Sequence, residues 1–162
     1  MRRLGLLITS ALAIAGCGLL DRGQPIPAGA QQVHVTIVDG TVRLAPDTVR
    51  AGPTYLVVDD PPDGGFAFVS GTGSGGTAEA PLAPGAVERL ERGDTEGTSI
   101  SGFSAGGCDA AQNAADRGKT GPCGNVMMVA LGPGTYALAA EPLEIRDEGA
   151  PPVPITVLTV TP

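Results

Sequence analysis

From Val33 onward, apolar residues fall at every second position. Val33, Val35 and Ile37 alternate with His34, Thr36 and Val38, and Asp39-Gly40 ends the run. Period-two alternation marks a half-buried strand, and an Asp-Gly pair marks a tight turn. Similar short runs follow at Val42–Leu44, Thr48–Arg50, Thr54–Asp59, Phe66–Ser70, Thr98–Phe103, Val126–Leu131, Thr135–Ala140 and Val153–Thr161. In the last of these, Ile155, Val157 and Thr159 face away from Thr156, Leu158 and Val160. Turn residues separate the runs: Pro46-Asp47, Ala51-Gly52-Pro53, Asp60 to Gly65 and Pro133-Gly134. One segment, about residues 84–92, has helical spacing instead. Val87 and Leu90 share a face, Glu88 and Arg92 stand at i,i+4, and Gly93 is placed to cap the C-terminus. Many short strands with one short helical insertion predict an all-β sandwich. No internal repeat is present.

Composition narrows this further. The chain holds 25 Gly and 15 Pro, and only 3% of its residues are aromatic. The core must therefore come from Val, Leu, Ile and Ala. The formal net charge is −7, with Lys119 the only lysine. An acidic surface disfavours nucleic acid and anionic headgroups as partners. Residues 71–80, rich in Gly, Ser and Thr, predict a mobile surface loop.

The N-terminus adds an address. Arg2 and Arg3 precede an apolar run from Leu4 to Ala15, too short to span a bilayer, and Ile14-Ala15-Gly16-Cys17 follows. These four residues resemble a bacterial lipoprotein lipobox, with Ile14 where the family prefers Leu. The resemblance implies a diacylglyceryl thioether on Cys17, further acylation of the palmitate type, and cleavage just before it. Residues 1–16 are then a signal peptide, 17–31 the lipidated cysteine and a flexible tether, and 32–162 the sandwich domain. The mature chain would be two units more acidic, since Arg2 and Arg3 leave with no acid. Its first partner would be the lipid bilayer, held through Cys17 on the extracytoplasmic side of an inner or outer membrane. With Cys17 lipidated, Cys108 and Cys123 remain as an even pair. Outside the cytoplasm a disulfide is the default for such a pair. Redox-active or metal-binding thiols are the alternative, but the spacing is not C-x-x-C and no His is near. The polar segment between them reads as a flexible loop.

Two stretches resemble the cupredoxin family. The first runs Val33-His-Val-Thr-Ile-Val-Asp39, Pro46-Asp-Thr-Val-Arg-Ala-Gly52 and Thr54-Tyr-Leu-Val-Val-Asp59, matching a strand, a "P-x-x-V-x-A-G" turn and an apolar strand. The second is Leu131-Gly-Pro-Gly-Thr-Tyr136 leading to Ala140, similar to "L-x-P-G-x-Y-x-x-x-C". The resemblance implies a Greek-key β-sandwich. It does not carry the copper. Type 1 copper takes two imidazoles, a thiolate and usually a thioether. Ala140 stands where the cysteine belongs, Gly65-Phe66-Ala67-Phe68 has no His, and 141–152 contains neither His nor Met. No metal and no cofactor are expected.

Two further motifs match in form only. Gly71-Thr-Gly-Ser-Gly-Gly76 fits G-x-G-x-x-G, but no helix starts after it to face a pyrophosphate. Gly102-Phe-Ser-Ala-Gly106 fits G-x-S-x-G, but Gly106-Gly107 follows and the only His, His34, lies far upstream. The leading expectation is a non-enzymatic binding or assembly module, taking a protein or a small molecule as ligand. Its candidate surface is the end carrying residues 60–68, 102–124 and 141–152, with Phe66, Phe68 and Phe103 as aromatic contacts, although core packing is expected for at least two of them. Two alternatives are a copper-binding or chaperone protein using His34 with Met127 or Met128, and a serine hydrolase at Ser104. Met127 and Met128 are adjacent, so a strand sends them to opposite faces.

Overall fold

A computed structural model describes residues 23–59, 65–73, 78–103, 108–121, 123–140 and 151–162. The elements run β1 Gln31–Val38, β2 Thr41–Ala45, β3 Thr48–Arg50, β4 Gly52–Val58, β5 Phe66–Gly71, α1 Ala86–Glu91, β6 Thr98–Phe103, α2 Ala110–Ala115, β7 Val126–Leu131, β8 Gly134–Ala139 and β9 Ile155–Thr161. The strands form two sheets, ordered β2-β1-β4-β7 and β3-β9-β8-β5-β6. The β1–β4 and β3–β9 pairs are parallel, and the rest are antiparallel.

Local chemistry explains the corners. Asp39 and Gly40 both take positive φ, 50° and 70°, which lets two residues join β1 to β2. At Pro46-Asp47 the chain leaves the first sheet, so β2 and β3 lie in different sheets. The turn after β7 makes the same crossing, from the first sheet to the second, where β8 lies. There Gly134 has φ 143°, and a Cβ would strike the Pro81 ring.

The main core lies between the sheets. Val33, Val35, Leu56, Val58, Phe66, Phe68, Tyr136, Leu138 and Leu158 are its buried centre. Phe68 stacks on Tyr136 with ring centroids 5.7 Å apart. A second cluster covers the outer face of the five-stranded sheet, where Val69, Ala137 and Ala139 meet Leu82, Ala86 and Leu90 at α1. Thus Leu90 is buried, Val87 is partly buried at the edge of that cluster, and Gly93 closes the helix with φ 81°. The expected Glu88–Arg92 pair is absent among the described residues. Arg89 instead lies 3.6 Å from Asp94, brought back by the turn at Gly93.

Three expectations change. The described residues hold two short helices, not one: α2 forms inside the cysteine loop, where Asp109 accepts from the Gln112 N–H and the Gln112 side chain accepts from the Asp109 N–H. The described end of the tether is docked, since Gln24 and Thr120 exchange hydrogen bonds and Pro25 bridges Lys119. A Cβ on Gly23 would collide with the Thr120 carbonyl, so the approach is close. Finally, the ends of the Gly-rich loop are tied: Gly71 pairs with Ala80, and the Ser70 hydroxyl donates to Glu79. Residues 74–77 lie outside the described residues.

The edge strand β3 is finished by a side chain. The Gln31 amide donates to the Arg50 carbonyl at 2.8 Å and accepts from the Arg50 N–H at 3.0 Å, and it also donates to Thr54 at 2.7 Å. Gln31→Ala should therefore lower stability by about 1 kcal/mol, the net worth of partly exposed hydrogen bonds. An unchanged urea midpoint would refute that.

Candidate functional site

The edge strands β6 and β7 both border one cleft of about 540 Å³. Met127 and Met128 enter it from the edge of β7. Met127 pairs with Leu56 and packs against the core, while Met128 pairs with Tyr55 on the outer face and is 57% exposed. Phe103, at the end of β6, supplies an aromatic wall and stacks on Phe66 with centroids 5.4 Å apart. The opposite wall is Gln24, Pro25, Thr120 and Gly121. Every residue lining the cleft is uncharged. A methionine beside an aromatic ring is a soft, adaptable apolar contact.

The second wall is held by covalent and polar ties. Cys108 and Cys123 form the disulfide, with Cα atoms 5.6 Å apart. The buried Asn125 side chain donates to the Val58 carbonyl at 2.7 Å and accepts from the Gly118 N–H at 2.6 Å. Arg117 donates to the Asp59 carbonyl at 2.8 Å. Gly124 sits so close to the Lys119 carbonyl that a Cβ would collide with it.

The aromatic surface needs correction. Phe66 and Phe68 are 2% and 1% exposed, so only Phe103 of the three faces the cleft. The inter-sheet core takes Phe66 and Phe68 because small aliphatic side chains alone fill little volume there. Residues 60–64, 104–107 and 141–150 of the expected surface lie outside the described residues, as do Cys17 and Ser104.

His34 points to solvent, with Nδ1 2.8 Å from Asp59 Oδ1. It is in register with Val57 and Val126, so Met128 lies two strands away and two residues along. At a strand spacing of about 4.8 Å, that is near 10 Å or more between backbones. Met127 faces the other way. Among the described residues, no group of three His, Cys, Asp or Glu is placed to hold a metal ion. A smaller recess of about 350 Å³, lined by Asp39, Gly40, Ala140 and Pro151 to Pro154, lies just past the end of β8.

The sequence singled out Phe103 and the stretch 102–124 that holds Thr120 and Gly121, and raised Met127 and Met128 only for copper; Gln24 and Pro25 of the facing wall were not foreseen. The wall's one local signal was Asp109-Ala-Ala-Gln112, the spacing of a helix capping box. Among the described residues, no helix is long and apolar enough to cross a membrane. No protein-family model matches the chain, and no curated protein matches it.

Proposed function

We propose that the protein is a lipid-anchored extracytoplasmic binding module, non-enzymatic, built on a cupredoxin-like sandwich without copper ligands. The uncharged cleft between Phe103, Met127 and Met128 on one side and Gln24, Pro25 and Thr120 on the other carries this proposal. A concave apolar site with an exposed methionine at its rim is chemistry for capturing an apolar group. The only histidine sits on the exposed surface with Asp59 and lines no part of the cleft, which favours binding over acid–base catalysis.

The cupredoxin-like reading draws support from where the resembling stretches fall. Val33 to Asp59 forms β1, the sheet-switching corner and β4, and Leu131 to Tyr136 forms the crossing from β7 to β8. Gly65-Phe66 and Ala140, at the positions of copper ligands, offer no donor side chain.

Two experiments test the proposal. Expressed with an alkynyl palmitate in a bacterium that processes lipoproteins, the full chain should take the label and fractionate with membranes. Cys17→Ser should lose both; a label retained by that variant would remove the anchor. An apolar fluorescent dye should bind the cleft, and Met128→Glu should abolish the signal with the fold intact by circular dichroism. Dye binding unaffected by that variant would remove the cleft as the site.

A further inference from the structure

Two open sheets leave four edge strands, and three of them are closed off. On β7, the Glu79 N–H donates to the Ala130 carbonyl at 2.7 Å, and Thr120 bridges Val126. On β3, only three residues long, the Gln31 amide occupies both backbone groups of Arg50. On β2, the Thr156 hydroxyl bonds the Val42 carbonyl, and Arg43 puts a charge on the strand. The fourth, β6, has none of these protections among the described residues. Its sequence, Thr98-Ser-Ile-Ser-Gly-Phe103, carries no charge and no proline and pairs only with β5. Beyond the turn at Thr95–Thr98, no described residue bonds its outer edge. Proteins ordinarily blunt such an edge, because its free peptide groups template another strand. Here the open edge ends in the cleft, at Gly102 and Phe103.

We infer that β6 is a strand-addition site for an extended peptide. This rests on the cleft being the ligand site and names what it takes. The peptide pairs antiparallel to residues 99–103 and places an apolar side chain near its N-terminal end in the cleft, against Phe103 and Met128. Backbone pairing supplies the attachment and the cleft selects the side chain. Ile100, 41% exposed, gains a cross-strand neighbour. At the other end Glu96 is exposed, and Asp94 lies just before it. Among the described residues Glu96 has no ion pair, so it favours Lys or Arg near the peptide's C-terminal end. Glu96 stands in the turn before Thr98, so the basic residue falls beyond the position opposite Thr98, more than five positions after the apolar one, or upwards of about 17 Å along an extended chain. Charge also selects against a second copy, since each chain carries −7.

The test uses a fluorescein-labelled peptide with leucine near its N-terminus, alternating threonine and valine, and lysine about seven residues later. Two derivatives carry N-methyl groups on one or the other set of alternate amides. The full-length protein should bind the parent peptide, and only one of the two derivatives should weaken by about tenfold or more. That period-two difference requires backbone pairing, because a cleft capturing a side chain alone would treat both derivatives alike. Glu96→Lys should reverse the preference between lysine and glutamate peptides. Equal binding of the parent and both derivatives would overturn strand addition. If no peptide binds while the apolar dye still does, strand addition fails and the cleft remains the ligand site; if the dye fails too, both fall. A dimer in sedimentation that Ile100→Lys dissociates, with the fold intact, would make the occupant a second copy and overturn the peptide.

Discussion

Replacing both Cys108 and Cys123 with serine should cost about 3 kcal/mol, because the bridge closes a loop spanning 15 positions in sequence. The cost should appear as a lower urea midpoint with the sandwich still folded. The reason is where the loop gets its support. The helix α2 buries no side chain. What holds the segment is the disulfide, the Asn125 hydrogen bonds and the Arg117 contact with Asp59. The segment around Gln24, in turn, hydrogen-bonds to Thr120. Reduction should therefore loosen one wall of the cleft while leaving Leu138, Leu158 and the rest of the core packed. Amide exchange is the decisive readout: Gly118, Thr120 and Gly124 should lose protection, and β8 and β9 should keep theirs. A double variant as stable as the parent, with those amides still protected, would mean the polar ties suffice.

The second large effect is expected at Tyr136→Phe, about 3 kcal/mol. The Tyr136 ring is wholly buried. Its hydroxyl donates to the Glu79 carbonyl at 2.7 Å and accepts from the Gly132 N–H at 3.0 Å. One oxygen thus ties the crossing after β7 to the segment that closes the β7 edge. Removing it leaves two backbone groups short of a partner, each costing about 1–3 kcal/mol, partly recovered where water reaches them. The same hydroxyl sets an alkaline signature. Burial raises its pKa above the ordinary 10.0, the Gly132 N–H opposes this, and the Glu79 carboxylate adds to it. The native state then holds the proton to higher pH than the unfolded chain does. That share of stability is complete below about pH 10 and is lost as pH rises through the folded pKa. The difference in stability between the parent and Tyr136→Phe should narrow across that alkaline range. A gap that stays constant would show that the hydroxyl titrates alike in the folded and unfolded states, so that burial does not raise its pKa.

Much of the strand plan was legible. The spans Thr48–Arg50, Thr98–Phe103 and Val126–Leu131 coincide with β3, β6 and β7, and the others differ by a few residues at their ends. Alternation and turn chemistry are local, so each run declares itself: Asp39-Gly40 turns because both residues take positive φ there. The Cys108–Cys123 bridge was legible as the even pair left once Cys17 is read as a lipidation site. The short helix α2 was missed because its residues are polar and bury nothing, leaving only the capping box to mark it.

The candidate site was half legible. Met127 and Met128 split across the strand as period two requires, one against the core and one exposed. The fates of the three phenylalanines were not equally open to reading. Phe66 and Phe68 sit two apart on β5 and both enter the inter-sheet core, while Phe103, their neighbour across the β5–β6 pair, reaches the cleft. The same side chain is core or surface according to which edge its strand occupies.

By itself, then, the sequence determined a chain of short strands, two-sided in pattern, acidic, and closed by one disulfide. Each of these follows from residues near one another or from composition. Only the tertiary structure decided that the edge strands β6 and β7 border one cleft, that Gln24 and Thr120 face them across it, and that among the described residues three edges are blunted while β6 is not. Those facts depend on pairings between segments far apart in sequence, 96 positions for Gln24 and Thr120 and 114 for Val42 and Thr156. No local period or propensity encodes such a pairing; it is fixed when the two sheets bury their common core.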